Sequence, residues 1–216
     1  MFRFDSRTCQ AHLDSGFPVE STFNFGNTML MVAVDLSYGM CEMLLKNGAN
    51  PNSSNKAGAT PLILAVCNGN IDIARLLLDY GALVDKATNG GMTPLMIASD
   101  NNEISLAKFL LESGADVNKM DKNGSTPLHH ALPCSNEFLQ LLINHGANLD
   151  VVNGDGWTPL MVTFGRSYCD NALTLFKSGA KCCVDGECAW SIATDFIQNH
   201  FDNNGFCPHH RHVPTD

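Results

Sequence analysis

The sequence predicts an all-α solenoid of stacked antiparallel helix pairs linked by short β-hairpin-like turns. Three observations predict it. One phrase recurs, as GNTMLMVA from Gly26, GATPLILA from Gly58, GMTPLMIA from Gly91, GSTPLHHA from Gly124 and GWTPLMVT from Gly156. Its threonines, Thr28, Thr60, Thr93, Thr126 and Thr158, are spaced by 32, 33, 33 and 32 residues, and a fixed period in this range marks a stacked repeat architecture. Each phrase is followed by a second apolar stripe and a glycine stop.

Within the phrase, a threonine hydroxyl can cap a helix, and proline fits the first helical position, where no N–H is needed. Residues 1–22 read as the back half of a repeat. LDSGFPVES at 13–21 lines up with LESGADVNK at 111–119, and Gly16 lies 32 residues before Gly48. A helix from about Asp5 to Ser15 carries Arg7, Thr8, Gln10 and His12, the polar face that a terminal cap needs. The rival reading is a fragment of a longer array. Five full repeats follow, at 23–54, 55–87, 88–120, 121–152 and 153–185.

The first repeat has Met29 in place of proline and a second helix with Met40, Met43, Leu44 and Leu45. In the second, Ile71, Ile73, Leu76, Leu77 and Leu78 form a helical stripe. The third carries Ile104, Leu106, Phe109, Leu110 and Leu111, and the fourth Phe138, Leu139, Leu141, Leu142 and Ile143. The fourth is one residue short between its helices, where Pro133 must end the first. The fifth is the weakest, with Thr163 at the alanine phase and Thr174 among apolar positions. Gly48, Gly81, Gly114, Gly146 and Gly179 stop the second helices at one phase. A capping unit at 186–201, with its helix at about Trp190 to Phe201, and a flexible tail at 202–216 complete the reading.

A formal charge of −9 argues against a nucleic-acid backbone or an anionic membrane as the main partner. The longest apolar runs are too short to span a bilayer. Nine cysteines without an apolar leader read as reduced thiols, which places the chain in the cytoplasm or nucleus.

Short polar turns, KAGA, NGGM, KNGS and GDGW, separate the helix pairs, and each repeat ends on a phrase such as GANPN, GALVD, GADVN, GANLD or GAKCC. With the period and TPLHHA, this pattern resembles the ankyrin-repeat family over about residues 3–201. The resemblance implies a non-catalytic module, without cofactor or metal, that binds another protein on its concave surface of turns and first helices. In that family a histidine of the phrase helps to tie neighbouring turns. Here only His129 matches, while Met31, Ile63, Met96 and Met161 stand elsewhere, so apolar packing is expected in its place.

On this reading the partner-binding positions are Phe25, Asp35, Lys56, Asn68, Met92, Asp100, Asn101, Lys122, Asn123, Asp155, Trp157 and Arg166. They mix both charge signs with large apolar groups, which suits a protein surface in a monomeric module. Trp157 is either the energetic anchor or a cover for its own turn. Phe25 faces the same choice at the cap. Asn118, with Leu110 eight residues before and Asp116 two before, resembles the substrate pattern of an asparaginyl hydroxylase; Asn52 matches less well. The alternative function is the recognition or inhibitory part of a larger regulatory assembly, such as a ubiquitin-ligase adaptor.

Other constellations carry less. Cys182, Cys183, Cys188, Cys207, His209, His210 and His212 have ligand chemistry but not the closed spacing of a structural zinc site. His129 and His130 beside Cys134 have no third member that would orient a nucleophile. Asp14, Glu20, Asp116 and Asp121 read as solvated carboxylates beside turns.

Overall fold

The architecture follows from one local event repeated five times. The computed structural model describes residues 10–11, 13–165, 169–181, 183–184 and 187–188. Thr28, Thr60, Thr93 and Thr158 cap the first helices, each hydroxyl accepting the N–H three residues on at 3.2–3.4 Å. These helices, with the one that follows Thr126, are α1 (Met29–Val34), α3 (Pro61–Cys67), α5 (Pro94–Asp100), α7 (Pro127–His130) and α9 (Pro159–Gly165). Each runs into an outer helix: α2 (Tyr38–Lys46), α4 (Ile71–Asp79), α6 (Ile104–Glu112), α8 (Asn136–Asn144) and α10 (Cys169–Lys177). Met29 does not prevent capping of α1. Pro133 leaves α7 the shortest of these helices, a single turn.

Each inner helix packs on its outer partner and on the inner helices before and after it, and the outer helices stack likewise. Two leucine rows follow. Leu30, Leu62, Leu95, Leu128 and Leu160 are almost wholly buried along the inner helices, as are Leu44, Leu77, Leu110, Leu142 and Leu175 along the outer ones. The result is one slender core that grows by stacking, in which no helix pair could bury its apolar face alone. The glycines expected to stop the outer helices all have left-handed φ, between +85° and +99°. Gln10, Ala11, Leu13 and Asp14 are helical, within the span expected for the first cap. Cys183–Val184 and Glu187–Cys188 pair as a short antiparallel ladder across the boundary drawn at residue 185. The helix expected over Trp190 to Phe201, the tail and the residues Cys182, Cys207, His209, His210 and His212 lie outside the described residues.

The turns form a second spine. An Asn55, Asp121 or Asn153 side chain opens a turn by accepting two of its backbone N–H groups, the local bonding typical of these residues. One backbone bond then passes from turn to turn: Lys56 N–H to Phe25 O, Asn89 to Ala57, Lys122 to Gly90 and Gly154 to Asn123, at 2.6–3.0 Å. This approach leaves no room for a side chain. A Cβ on Gly58 would stand 2.4 Å from the Asn89 nitrogen, and one on Gly91 2.7 Å from the Lys122 nitrogen. Gly156, with φ +82°, meets nothing within 4 Å.

Gly156→Ala should therefore cost about 1 kcal/mol, the left-handed penalty alone. Gly58→Ala should cost at least about twice that, because overlap adds to strain. Chemical denaturation checks the order, and amide exchange should quicken at Asn89 in the Gly58 variant. Equal costs would show that the turn-to-turn approach is loose.

Candidate partner-binding groove

The concave face is set by two positions in each repeat. The residue before each capping threonine forms an outer row: Asn27, Ala59, Met92, Ser125 and Trp157. The residue four after it forms an inner row: Val32, Leu64, Ile97, His130 and Val162. Between these rows, a groove of about 640 Å³ crosses the third to fifth repeats. It gathers five of the expected binding residues, Asp100, Lys122, Asn123, Asp155 and Trp157, with Ser125, His130 and Val162.

The other expected positions lie elsewhere. Phe25 is 77% exposed on the first turn, with a left-handed φ of 62°, so its ring does not cover the cap. Asp35 and Asn68 face each other, the amide of Asn68 donating to the carboxylate at 2.7 Å, so they tie adjacent repeats. Lys56 is exposed, and its backbone carries the turn-to-turn bond. Met92 is half-buried and Asn101 exposed, and neither lines the groove. Arg166 lies outside the described residues.

His130 was missed as a groove residue, and Asp121 as its buried partner. The available signal was the inner row, which is aliphatic except at His130. His130 Nδ1 lies 2.9 Å from Asp100 Oδ1, and Nε2 lies 3.3 Å from Asp121 Oδ2. Burial opposes its charge, but Asp100 and then Asp121 outweigh burial and hold the ring's pKa above the usual histidine value. Asp121 is not a solvated carboxylate. Its side chain is 4% exposed, and Oδ1 accepts the N–H groups of Asn123 and Ser125 at 2.8 and 2.9 Å.

His129 plays the opposite part. The Thr126 N–H can only donate, so Nδ1, at 3.2 Å, accepts, and Nε2–H donates to Trp157 O at 3.2 Å. Burial keeps its pKa low and the ring neutral. This is the expected tie between turns. Two of the three methionine copies keep half of it: Met96 Sδ accepts the Thr93 N–H at 3.4 Å, and Met161 Sδ that of Thr158 at 3.5 Å. Thioether sulfur can accept but cannot donate onward. Apolar packing is thus not the whole replacement. The Cys134 thiol donates to Ser99 O at 2.8 Å, and burial raises its pKa, so neither its hydrogen nor its charge state suits a nucleophile beside these imidazoles.

In the loops that follow the outer helices runs a side-chain ladder that a reading of solvated carboxylates overlooked. Glu20 accepts the Asn50 N–H at 2.7 Å. Asn52 accepts that of Leu83, Asp85 that of Asp116, Asn118 that of Asn148, and Asp150 that of Lys181. Asn52 and Asn118 also donate to Gly81 O and Gly146 O. Both bonds of the Asn118 side chain between repeats must open before a modifying enzyme can take it. Asp116 Oδ1 in turn accepts the Asn118 N–H at 2.9 Å. Among the described residues no group of three or more His, Cys, Asp and Glu side chains could hold a metal ion.

The raised pKa of His130 fixes a sign. The imidazolium pair contributes stability fully below the unfolded histidine pKa of about 6.5, and that contribution is lost as pH rises through the folded value. His130→Gln should be less stable than the parent at pH 6 by about 1 kcal/mol, and the gap should close by pH 9. Urea melts at the two pH values check it, and a gap independent of pH would refute the ion pair.

Among the described residues no helix is long and apolar enough to cross a membrane. No curated protein matches the chain. The family model described as ankyrin repeats (3 copies) matches residues 30–121 and 114–185. That match spans more than half of the sequence and agrees in phase with the capped helix pairs, so the chain belongs to the ankyrin-repeat family.

Proposed function

We propose that this chain is a monomeric, non-catalytic module of the cytoplasm that holds a partner protein in the groove across its third to fifth repeats. Ankyrin repeats generally mediate protein–protein interaction. The observation that carries the site is Trp157. Its backbone N–H and C=O both serve the fifth turn, yet its side chain is not what that turn needs. Asn27, Ala59, Met92 and Ser125 hold the same phase in the other turns. A tryptophan there, 36% exposed as a residue, adds apolar contact area over a groove edged by Lys122 and Asp155. Such a buried-on-binding aromatic amid charged neighbours is the composition of an interface anchor.

A photoreactive residue placed at Lys122 or Asp155 should cross-link the same protein from native extract, while one at Lys108 on α6 should not. Trp157→Ala should weaken that capture about thirtyfold, the worth of an interface hot spot, with stability changed by less than about 0.5 kcal/mol. Equal capture from Lys108, or a melted variant that still binds, would remove the groove from the reading.

A further inference from the structure

His130 is the residue of the groove that folding least explains. The other repeats place Val32, Leu64, Ile97 and Val162 at its phase, so the stack accepts an aliphatic side chain there. Both of its ring nitrogens face carboxylates, Asp100 at 2.9 Å and Asp121 at 3.3 Å. Only the imidazolium has two N–H donors; a neutral ring turns a lone pair toward one of these acids. Asp121 cannot yield, because its side chain is 4% exposed and its other oxygen holds two turn amides. Asp100 can. It is the last residue of α5, and its side chain is 47% exposed.

We propose that the groove is gated by pH: protonated His130 locks Asp100 across the third and fourth repeats, and deprotonation frees that carboxylate for a basic side chain of the bound partner. The inference rests on the groove being the binding surface, and it names what that surface selects. The neighbouring groups favour a cation once the ring is neutral. Burial disfavours a charge on His129, whose Nδ1 already accepts the Thr126 N–H, and Lys122 is the one permanent cation among the described lining residues, against the lining Asp100 and Asp155 and the Asp121 buried against His130. The imidazolium nearly balances these charges, whereas the neutral ring leaves an excess of negative charge in a part-enclosed space. The Trp157 ring adds a face on which a guanidinium can rest.

The test is an NMR titration of the full chain with N-acetylarginine methylamide at pH 5.5 and pH 8.5. At pH 8.5 the Asp100 amide and the Trp157 indole N–H should shift saturably. At pH 5.5 the binding should be about fivefold weaker, the worth of one lost surface ion pair. Asp100→Asn should hold the binding at the weaker, pH 5.5 level at both pH values, and His130→Gln should remove its pH dependence while amide spectra show the fold intact. The proposal is overturned by no saturable shift at either pH, by equal binding at both, or by an unchanged response in Asp100→Asn. Each of these leaves the photo-cross-linked partner untouched, so loss of the gate and loss of the binding surface are told apart.

Discussion

The bond that crosses from one repeat to the next is what the rest of this structure depends on. A pair of helices four to nine residues long has no independent core, so stability must come from the neighbour. Three systems supply it in parallel. Apolar rows meet in the middle, backbone N–H groups reach the previous turn on one edge, and acidic or amide side chains clamp the next repeat's N–H on the other. The glycines at 58 and 91 are consequences of the second system, since the turn-to-turn approach removes space for a Cβ.

Uniform ties would make a uniform surface, and the departures from uniformity fall together. Pro133 cuts α7 to one turn, and the carbonyls it strands need donors. Asn171 from the fifth repeat donates to Leu132 O and Cys134 O. His129 adds a bond into the fifth turn, and His130 one back to the third repeat. The groove occupies this same region. Pro133 lines this groove, and the polar groups around the break give it its chemistry.

The two adjacent histidines show how little a residue type says without its surroundings. One sits under the turns, donates to a carbonyl and has its pKa lowered by burial; the other sits between two carboxylates that raise its pKa against burial. Their difference arises from helix geometry. Consecutive positions on a helix point about 100° apart, so one faces the next repeat's turn and the other faces the groove.

The sequence by itself determined the architecture. Capping threonines, prolines at the first helical position and glycine stops act over three or four residues, and their common period of 32 to 33 set the stack. Five of the twelve proposed contact residues fell in one groove because position within a repeat predicts which way a residue faces. The tertiary structure alone decided which of them serve the fold. Asp35 with Asn68, Glu20 with Asn50, and Asp100 with His130 and Asp121 meet across nine to 33 residues of chain. A carboxylate beside a turn looks solvated until the next repeat brings its donor. That donor is placed by the rise and rotation between repeats, a quantity summed over every packed side chain and written in no single stretch of sequence.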